Sequence, residues 1–559
     1  MRSNSTPFGF RSCISFGLFL ALALLLIAIT SWSPIARAGT PSPVVNTESG
    51  QVQGTVVTGT GTTEMQVEYL GIPYAAAPVG ALRWMPSQPY GMWTVPIWQA
   101  AAPGSACPQL DPSGGGDVIG NEDCLFLNIY TPLGKTTTIP HNRAVMVWIH
   151  GGGLTQGAGA DFDPTPLVQR GDVIVVTFNY RLGLLGFFAE QDLDAEGHLA
   201  ANYGLMDQQS ALQWVKDNIA AFGGDPDRVT VFGESAGGLS VYSQLASPLA
   251  AGLFNRAISQ SGAYGGFSPD YRAVILPIAT AETTGYLPFV EPGSYFATAI
   301  ATAAGCSSVT TTCLRGATAE EVVNALGSKK PFPVIDGTLL CQTPGDAFSS
   351  GEFNQVSVLT GNNRDEYRYF VAENFTQPID NSQYSSVFMM TFASLAPSVE
   401  AQYPLPAHPQ VDKTELLLGA AGTDGLFVCS ARRAEMYLAK YVPVWAYEFA
   451  DDKAPPPPSP PFPVVNFPLG AYHSADVQYL FDKGTIPDTG PQARLSHAMI
   501  SYWTEFAKNG DPNSTAHPYW QPYDPTIEER QFLVAPVPSV ESGTDFDTFH
   551  ECSSYWDTL

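Results

Sequence analysis

Gly233-Glu-Ser-Ala-Gly237 places a serine between two glycines, after the β-branched run 228–232 and before the helix-like stretch 236–245. A serine on so sharp a strand-to-helix turn must take strained backbone angles, and small residues two before and two after keep neighbouring chain from clashing. Ser235 Oγ would then project above a sheet as a nucleophile. The N–H of Ala236, at a helix N-terminus, would face the reacting carbonyl. An ordinary glycine-rich turn is the alternative, and the strand–turn–helix context argues against it.

A second chemical segment is Val147-Trp-Ile-His-Gly-Gly-Gly153. Three glycines after a buried run let the backbone aim N–H groups at a developing oxyanion, so Gly152 and Gly153 are candidate donors beside Ala236. His150 reads as a structural hydrogen bonder of that loop. A base and an orienting acid are still required, and with this kind of turn they follow the serine in the order acid, then histidine. Five histidines do: His408, His473, His497, His517 and His550. His473 leads because it sits in a loop, Phe467-Pro-Leu-Gly-Ala-Tyr-His473, ahead of a helix-like DVQYLF. The segment 356–366 offers Asp365 and Glu366 as the acid, and the residues alone leave these two open.

Positioning these groups requires a scaffold. The runs 144–149, 172–178, 228–232, 355–360 and 442–449 are apolar without strict alternation, which suits strands buried on both faces; Pro443 weakens the start of the last. A helix over 205–222, with Leu205, Leu212, Val215, Ile219 and Phe222 near one face, ends at Gly223 and Gly224. Alternating strands and helices give an α/β class with a central, mostly parallel sheet and helices on both faces. The proline-rich 455–461 reads as a rigid surface excursion within one domain.

The chain has 559 residues and a formal charge of −26, which repels nucleic acid and anionic membranes. It holds no CxxC, HExxH, GxGxxG or P-loop, so zinc, nucleotide and other cofactor chemistry is poorly supported and no cofactor or metal is expected. Arg2, Arg11, the apolar run 14–29 and Ala36-Arg37-Ala38 read as a signal peptide over 1–38, cleaved to leave one domain over 39–559. The apolar run is short for a membrane span, so no stable membrane insertion is expected, and the protein should be secreted or periplasmic. Of eight cysteines Cys13 lies in the leader, leaving an odd seven.

The chain resembles the type-B carboxylesterases, the family that includes cholinesterases and bacterial para-nitrobenzyl esterases. The resemblance runs through Gly71-Ile-Pro-Tyr74, Glu122-Asp-Cys-Leu-Phe-Leu-Asn128, His150-Gly-Gly-Gly153, Asn179-Tyr-Arg181, Asn202-Tyr-Gly-Leu-Met-Asp-Gln208, Phe222-Gly-Gly-Asp-Pro226, Gly233-Glu-Ser-Ala-Gly237 and Gln260-Ser-Gly262. It implies an α/β-hydrolase fold and a serine hydrolase that cleaves small-molecule esters through an acyl-enzyme. It selects Glu366 over Asp365 as the acid, keeps His473 as the base, and gives Glu234 and Ser261 supporting hydrogen bonds. It pairs Cys107 with Cys124, Cys306 with Cys313 and Cys429 with Cys552, leaving Cys341 as an inert buried thiol. Leu154 stands where the family often has Phe, and Met206 where it has Leu. The loop 108–123 lacks the aromatic that holds a quaternary ammonium in cholinesterases. A lipase for long acyl chains is the alternative function. A non-catalytic binding module is the remote one, since such relatives usually lose the nucleophile.

Overall fold

The computed structural model describes residues 39–58, 65–134, 139, 141–264, 276–277, 293–327, 329–375, 377–405, 411–457 and 467–559. The leader, His408 and the end of the proline-rich stretch lie outside them.

Twelve of the described strands share one sheet: β1 (Thr40–Pro41), β2 (Thr55–Thr58), β3 (Met65–Pro73), β4 (Phe126–Gly134), β5 (Arg143–Ile149), β6 (Ile174–Phe178), β7 (Gly224–Glu234), β8 (Arg256–Gln260), β9 (Ser357–Asn363), β10 (Val444–Phe449), β11 (Arg530–Leu533) and β12 (Ser539–Glu541). Their spatial order is β1-β2-β3-β4-β6-β5-β7-β8-β9-β10-β11-β12. From β6 to β11 every pairing is parallel, and antiparallel strands are added at both edges. The β10 ladder begins at Val444 because Pro443 has no N–H to give it; its carbonyl accepts from Val358 instead.

Successive side chains of a strand point to opposite faces, so β5 feeds two cores. Val145, Val147 and Ile149 pack on one side with Leu205, Leu212 and Val215 of α1 (Tyr203–Asn218) and Leu239 and Val241 of α2 (Ala236–Ala246). Met146 and Trp148 pack on the other with Phe232 and, after α3 (Glu366–Asn374), with Leu495, Met499 and Trp503 of α4 (Pro491–Asn509). Polar substitution on either stripe would leave a sheet face unable to pack, which is why these runs show no alternation. The helix expected over 205–222 is α1 followed by a tighter 3-10 turn, Ile219–Phe222, stopped by Gly223 at φ 92°.

Register decides what the sheet can hold. Ile149 lies opposite Gly233, Glu234 opposite Gln260, and Gln260 opposite Gly361. The carboxyl ends of β5, β7, β8 and β9 therefore stand in one row, and the segments leaving them begin at His150, Ser235, Ser261 and Arg364.

The structure contains disulfides Cys107–Cys124, Cys306–Cys313 and Cys429–Cys552. Cys341 departs from expectation: it is exposed. Asp336 folds the preceding turn by accepting from the N–H groups of Thr338, Leu339 and Leu340. Leu339 and Leu340 take the buried positions, and Cys341 faces outward.

Candidate active site

Ser235 sits at φ 55° and ψ −121°, between the last residue of β7 and the first of α2. A Cβ on Gly237 would fall 2.0 Å from the carbonyl oxygen of Ile149, and one on Gly233 would fall 2.6 Å from the Gly237 backbone. The two glycines are thus required by close backbone packing against the end of β5. The turn is held by the Ser235 N–H donating to the Gln260 carbonyl at 2.9 Å. Ser235 itself is half-buried.

Gly152 and Gly153 have φ of 98° and 63°, angles that disfavour side chains. A Cβ on Gly151 would stand 3.3 Å from Ser235 Cβ, so this turn runs directly past the serine. Among the described residues, neither Gly152 N–H nor Gly153 N–H donates to a protein acceptor outside regular pairing; Ala236, first in its helix, has no helical carbonyl to bond. His150 is fully buried behind them, stacked on Tyr180 at 4.4 Å, with Nδ1 2.9 Å from the Gly151 carbonyl. Burial pushes its pKa down to about 4, so it stays neutral.

His473 Nδ1 lies 2.5 Å from Glu366 Oε2. The other Glu366 oxygen accepts from Ser261 Oγ at 2.5 Å and from the Asn363 N–H at 2.8 Å. On the far side of the imidazole, Nε2 is 3.4 Å from Glu234 Oε1, which also accepts from Ser474 Oγ at 2.5 Å. Burial disfavours charge on His473, but Glu234 and Glu366 outweigh it and push the pKa up to about 9. Burial pushes Glu234 up to about 7, against the pull of His473. Phe370 and Phe427 flank the imidazole with centroids at 4.9 and 5.3 Å.

The two acids that the sequence left open both reach the histidine loop, by different atoms. Glu366 meets the ring. Asp365 holds the backbone: Oδ2 accepts from the Ala471 N–H at 2.9 Å, and the Asp365 N–H donates to the Ala471 carbonyl at 3.0 Å. Its carboxylate also pairs with Arg368 at 2.7 Å. A buried layer beneath went unread. Asp476 accepts from Gln260 at 2.7 Å, Tyr447 at 3.2 Å and Asn363 at 3.3 Å, and Trp503 donates to Gln260 at 3.1 Å. These partners are scattered over more than 200 residues, and no local motif announces them. His497 lies on α4 and His517 beyond it, its ring tilted against Tyr502 at 5.8 Å; neither meets a carboxylate among the described residues.

The Carboxylesterase family model matches residues 41–543. The chain is 33% identical to Pyrethroid hydrolase Ces2e of Rattus norvegicus, covering 89% of this chain and 87% of that protein. It is likewise 33% identical to Acylcarnitine hydrolase of Mus musculus, covering 93% and 92%. Among solved structures, a thermophilic PNB esterase superposes with a TM-score of 0.71 at 30% identity, over 91% of this chain and 99% of that one.

Proposed function

This chain belongs to the carboxylesterase family and is a carboxylic-ester hydrolase, and we propose that Ser235, His473 and Glu366 are its catalytic triad. Ser235 Oγ attacks the ester carbonyl while His473 Nε2 takes its proton. Glu366 holds the proton on Nδ1, fixing the tautomer and stabilising the imidazolium. The N–H groups of Gly152, Gly153 and Ala236 receive the oxyanion; one such donor is worth about 3 kcal/mol of transition-state stabilisation. The alcohol leaves with the proton from His473, and water cleaves the acyl-enzyme by the same steps. Glu234 and Ser261 act through the histidine and the acid.

The observation that carries this reading is the 2.5 Å contact between His473 Nδ1 and Glu366 Oε2, at the row of strand ends that also bears the strained turn of Ser235. The test is Ser235→Ala. Hydrolysis of para-nitrophenyl acetate should fall by about 10⁴-fold or more with the fold intact by circular dichroism. Retention of a tenth of the activity would overturn the assignment.

We read 39–559 as one domain, exported after cleavage at Ala38 to a secreted or periplasmic location. Compactness from Ala36 to Leu559 and the three disulfides support this. No helix among the described residues is long and apolar enough to cross a membrane. The loop 108–123 carries no Trp, Tyr or Phe, so a choline ester should gain little over its neutral 3,3-dimethylbutyl isostere, less than about tenfold in kcat/KM.

A further inference from the structure

Lys330 reaches the oxyanion turn from a remote part of the chain, between the helix Ala319–Leu326 and the short strand Val334–Ile335. A Cβ on Gly153 would meet its Nζ at 3.3 Å, its Cδ at 3.4 Å and its Cε at 3.6 Å, so the whole end of the side chain lies along that glycine. Nζ donates to Thr155 Oγ1 at 3.4 Å, and Thr155 Oγ1 donates to the Gly152 carbonyl at 3.2 Å. Standard bond lengths then put the ammonium within about 6 Å of the Gly153 nitrogen. An oxyanion bound to that N–H would lie within about 9 Å of it.

A lysine here is unusual for this molecule. The chain carries 52 acidic against 26 basic residues, and Glu234 and Glu366 already crowd the histidine. Lys330 is solvent-exposed, which leaves it able to meet a ligand. Burial by neighbouring protein holds its pKa below the ordinary lysine value, against the pull of Glu373. Its one hydrogen bond among the described residues is the long one to Thr155, which leaves two of its three N–H groups for a ligand.

We infer that Lys330 selects esters bearing a carboxylate a few bonds from the scissile carbonyl, such as monoesters of short dicarboxylic acids. This rests on the esterase reading above. An arm of roughly three methylenes spans the distance from a carbonyl seated at Gly153 to the ammonium. The acidic protein repels such a substrate at long range, and salt screens that repulsion; the local lysine attracts it at contact.

The experiment compares kcat/KM for monomethyl glutarate with that for methyl 5-methylhexanoate, in which an isopropyl group replaces the carboxylate. Wild type, Lys330→Met and Lys330→Arg are assayed by pH-stat at about 0.15 M salt. The ratio of anionic to neutral ester should fall about fivefold or more in Lys330→Met and stay within about twofold of wild type in Lys330→Arg. A ratio unchanged in Lys330→Met would overturn the inference. An equal fall on both esters would also overturn it, because Lys330 would then act on the oxyanion turn and not on a substrate anion. Wild-type para-nitrophenyl acetate hydrolysis that persists in Ser235→Ala would instead sink the esterase site, and the inference with it.

Discussion

Two buried histidine–carboxylate pairs stand near the carboxyl edge of the sheet, and by local geometry they are almost twins. His473 Nδ1 is 2.5 Å from Glu366, and His550 Nδ1 is 2.5 Å from Asp424. Each Nε2 faces a second carboxylate: Glu234 at 3.4 Å, at the end of β7, and Glu448 at 3.5 Å, near the end of β10. Burial disfavours charge on both rings and the paired acids override it, to about 9 for His473 and about 10 for His550. The surroundings differ. His473 lies in a loop beside the Ser235 turn. His550 ends the helix Gly543–His550, two residues before Cys552, where a positive charge also suits the helix terminus. Its Asp424 accepts from Tyr403 at 2.7 Å, and Tyr403 accepts from Trp556 at 2.9 Å. Burial and Glu448 push Glu541 up to about 9, so that acid holds a proton beside its neighbour. A histidine–acid contact is therefore no sign of catalysis by itself. What separates the pairs is the strained turn of Ser235 and the unbonded N–H groups of Gly152 and Gly153 beside one, and the Cys429–Cys552 disulfide beside the other.

Removing each histidine tests that contrast most strongly. His473→Ala should lower kcat by about 10⁴-fold or more. His550→Ala should leave kcat per folded molecule within about tenfold but destabilise the fold by about 3–5 kcal/mol, since Asp424 and Glu448 lose their buried partner. Activity assays beside urea titrations check both, and a His550→Ala enzyme as inactive as His473→Ala would end the distinction. Next in size, Glu366→Gln should cost about 10³-fold or more in kcat by removing the carboxylate that we propose fixes the tautomer. Asp365→Asn, which loses the ion pair with Arg368 and weakens the hold on the loop backbone, should cost about tenfold. The reverse ranking in folded proteins would exchange their roles.

Stability should respond to pH through both pairs. A histidine whose folded pKa lies above its unfolded value of 6.5 binds its proton more tightly when folded. Its contribution is complete below pH 6.5 and is lost as pH rises towards about 10 for His550. Glu541, raised to about 9 from 4.5, adds a loss of the same sign. The gap in Tm between wild type and His550→Gln should therefore narrow from pH 6.5 to 10. A gap constant across that range would mean that His550 is not charged in the folded protein.

The central strands were legible because burial on both faces writes an unbroken apolar run, as in Met146, Val147 and Trp148. The serine turn was legible because only glycine tolerates the backbone approach at 233 and 237. The long antiparallel strands β3 and β4 were not read, because polar residues such as Gln66, Glu68 and Asn128 interrupt them. Gln66 and Asn128 are satisfied by distant partners: Gln66 donates to Thr165, and Asn128 donates to Thr177. Glu366 could not be told from Asp365 by residue type, since both are acids of similar reach one position apart. Resemblance chose between them. The Asp476 layer, the second histidine pair and Lys330 depend on contacts between segments far apart in the chain, most of them 100 residues or more, which no window of sequence reveals.

The smallest expected effect tests the acid on the far side of His473. Glu234→Gln keeps the shape and the contact with Ser474 but removes a charge 3.4 Å from Nε2. The proposed triad and the proposed oxyanion donors remain, so the plateau rate should change by less than about tenfold. The pH dependence should change more clearly. Only neutral imidazole accepts the serine proton, so kcat/KM rises with pH through the titration of His473, with a midpoint above 6.5 in the wild type. Without Glu234 the imidazolium loses one of its stabilising charges, Glu366 and Asp476 remaining, and the midpoint should move to lower pH by about one unit, equivalent to roughly 1.4 kcal/mol. Glu448→Gln offers the matched control, because that acid stands at nearly the same distance from His550. It should alter Tm and leave the midpoint of the pH–rate profile in place. A midpoint that stays put in Glu234→Gln, or moves upward, would mean that Glu234 is protonated beside the resting histidine. Its role would then be to hold Ser474 and the loop, and the two pairs would differ in their electrostatics as well as in their surroundings.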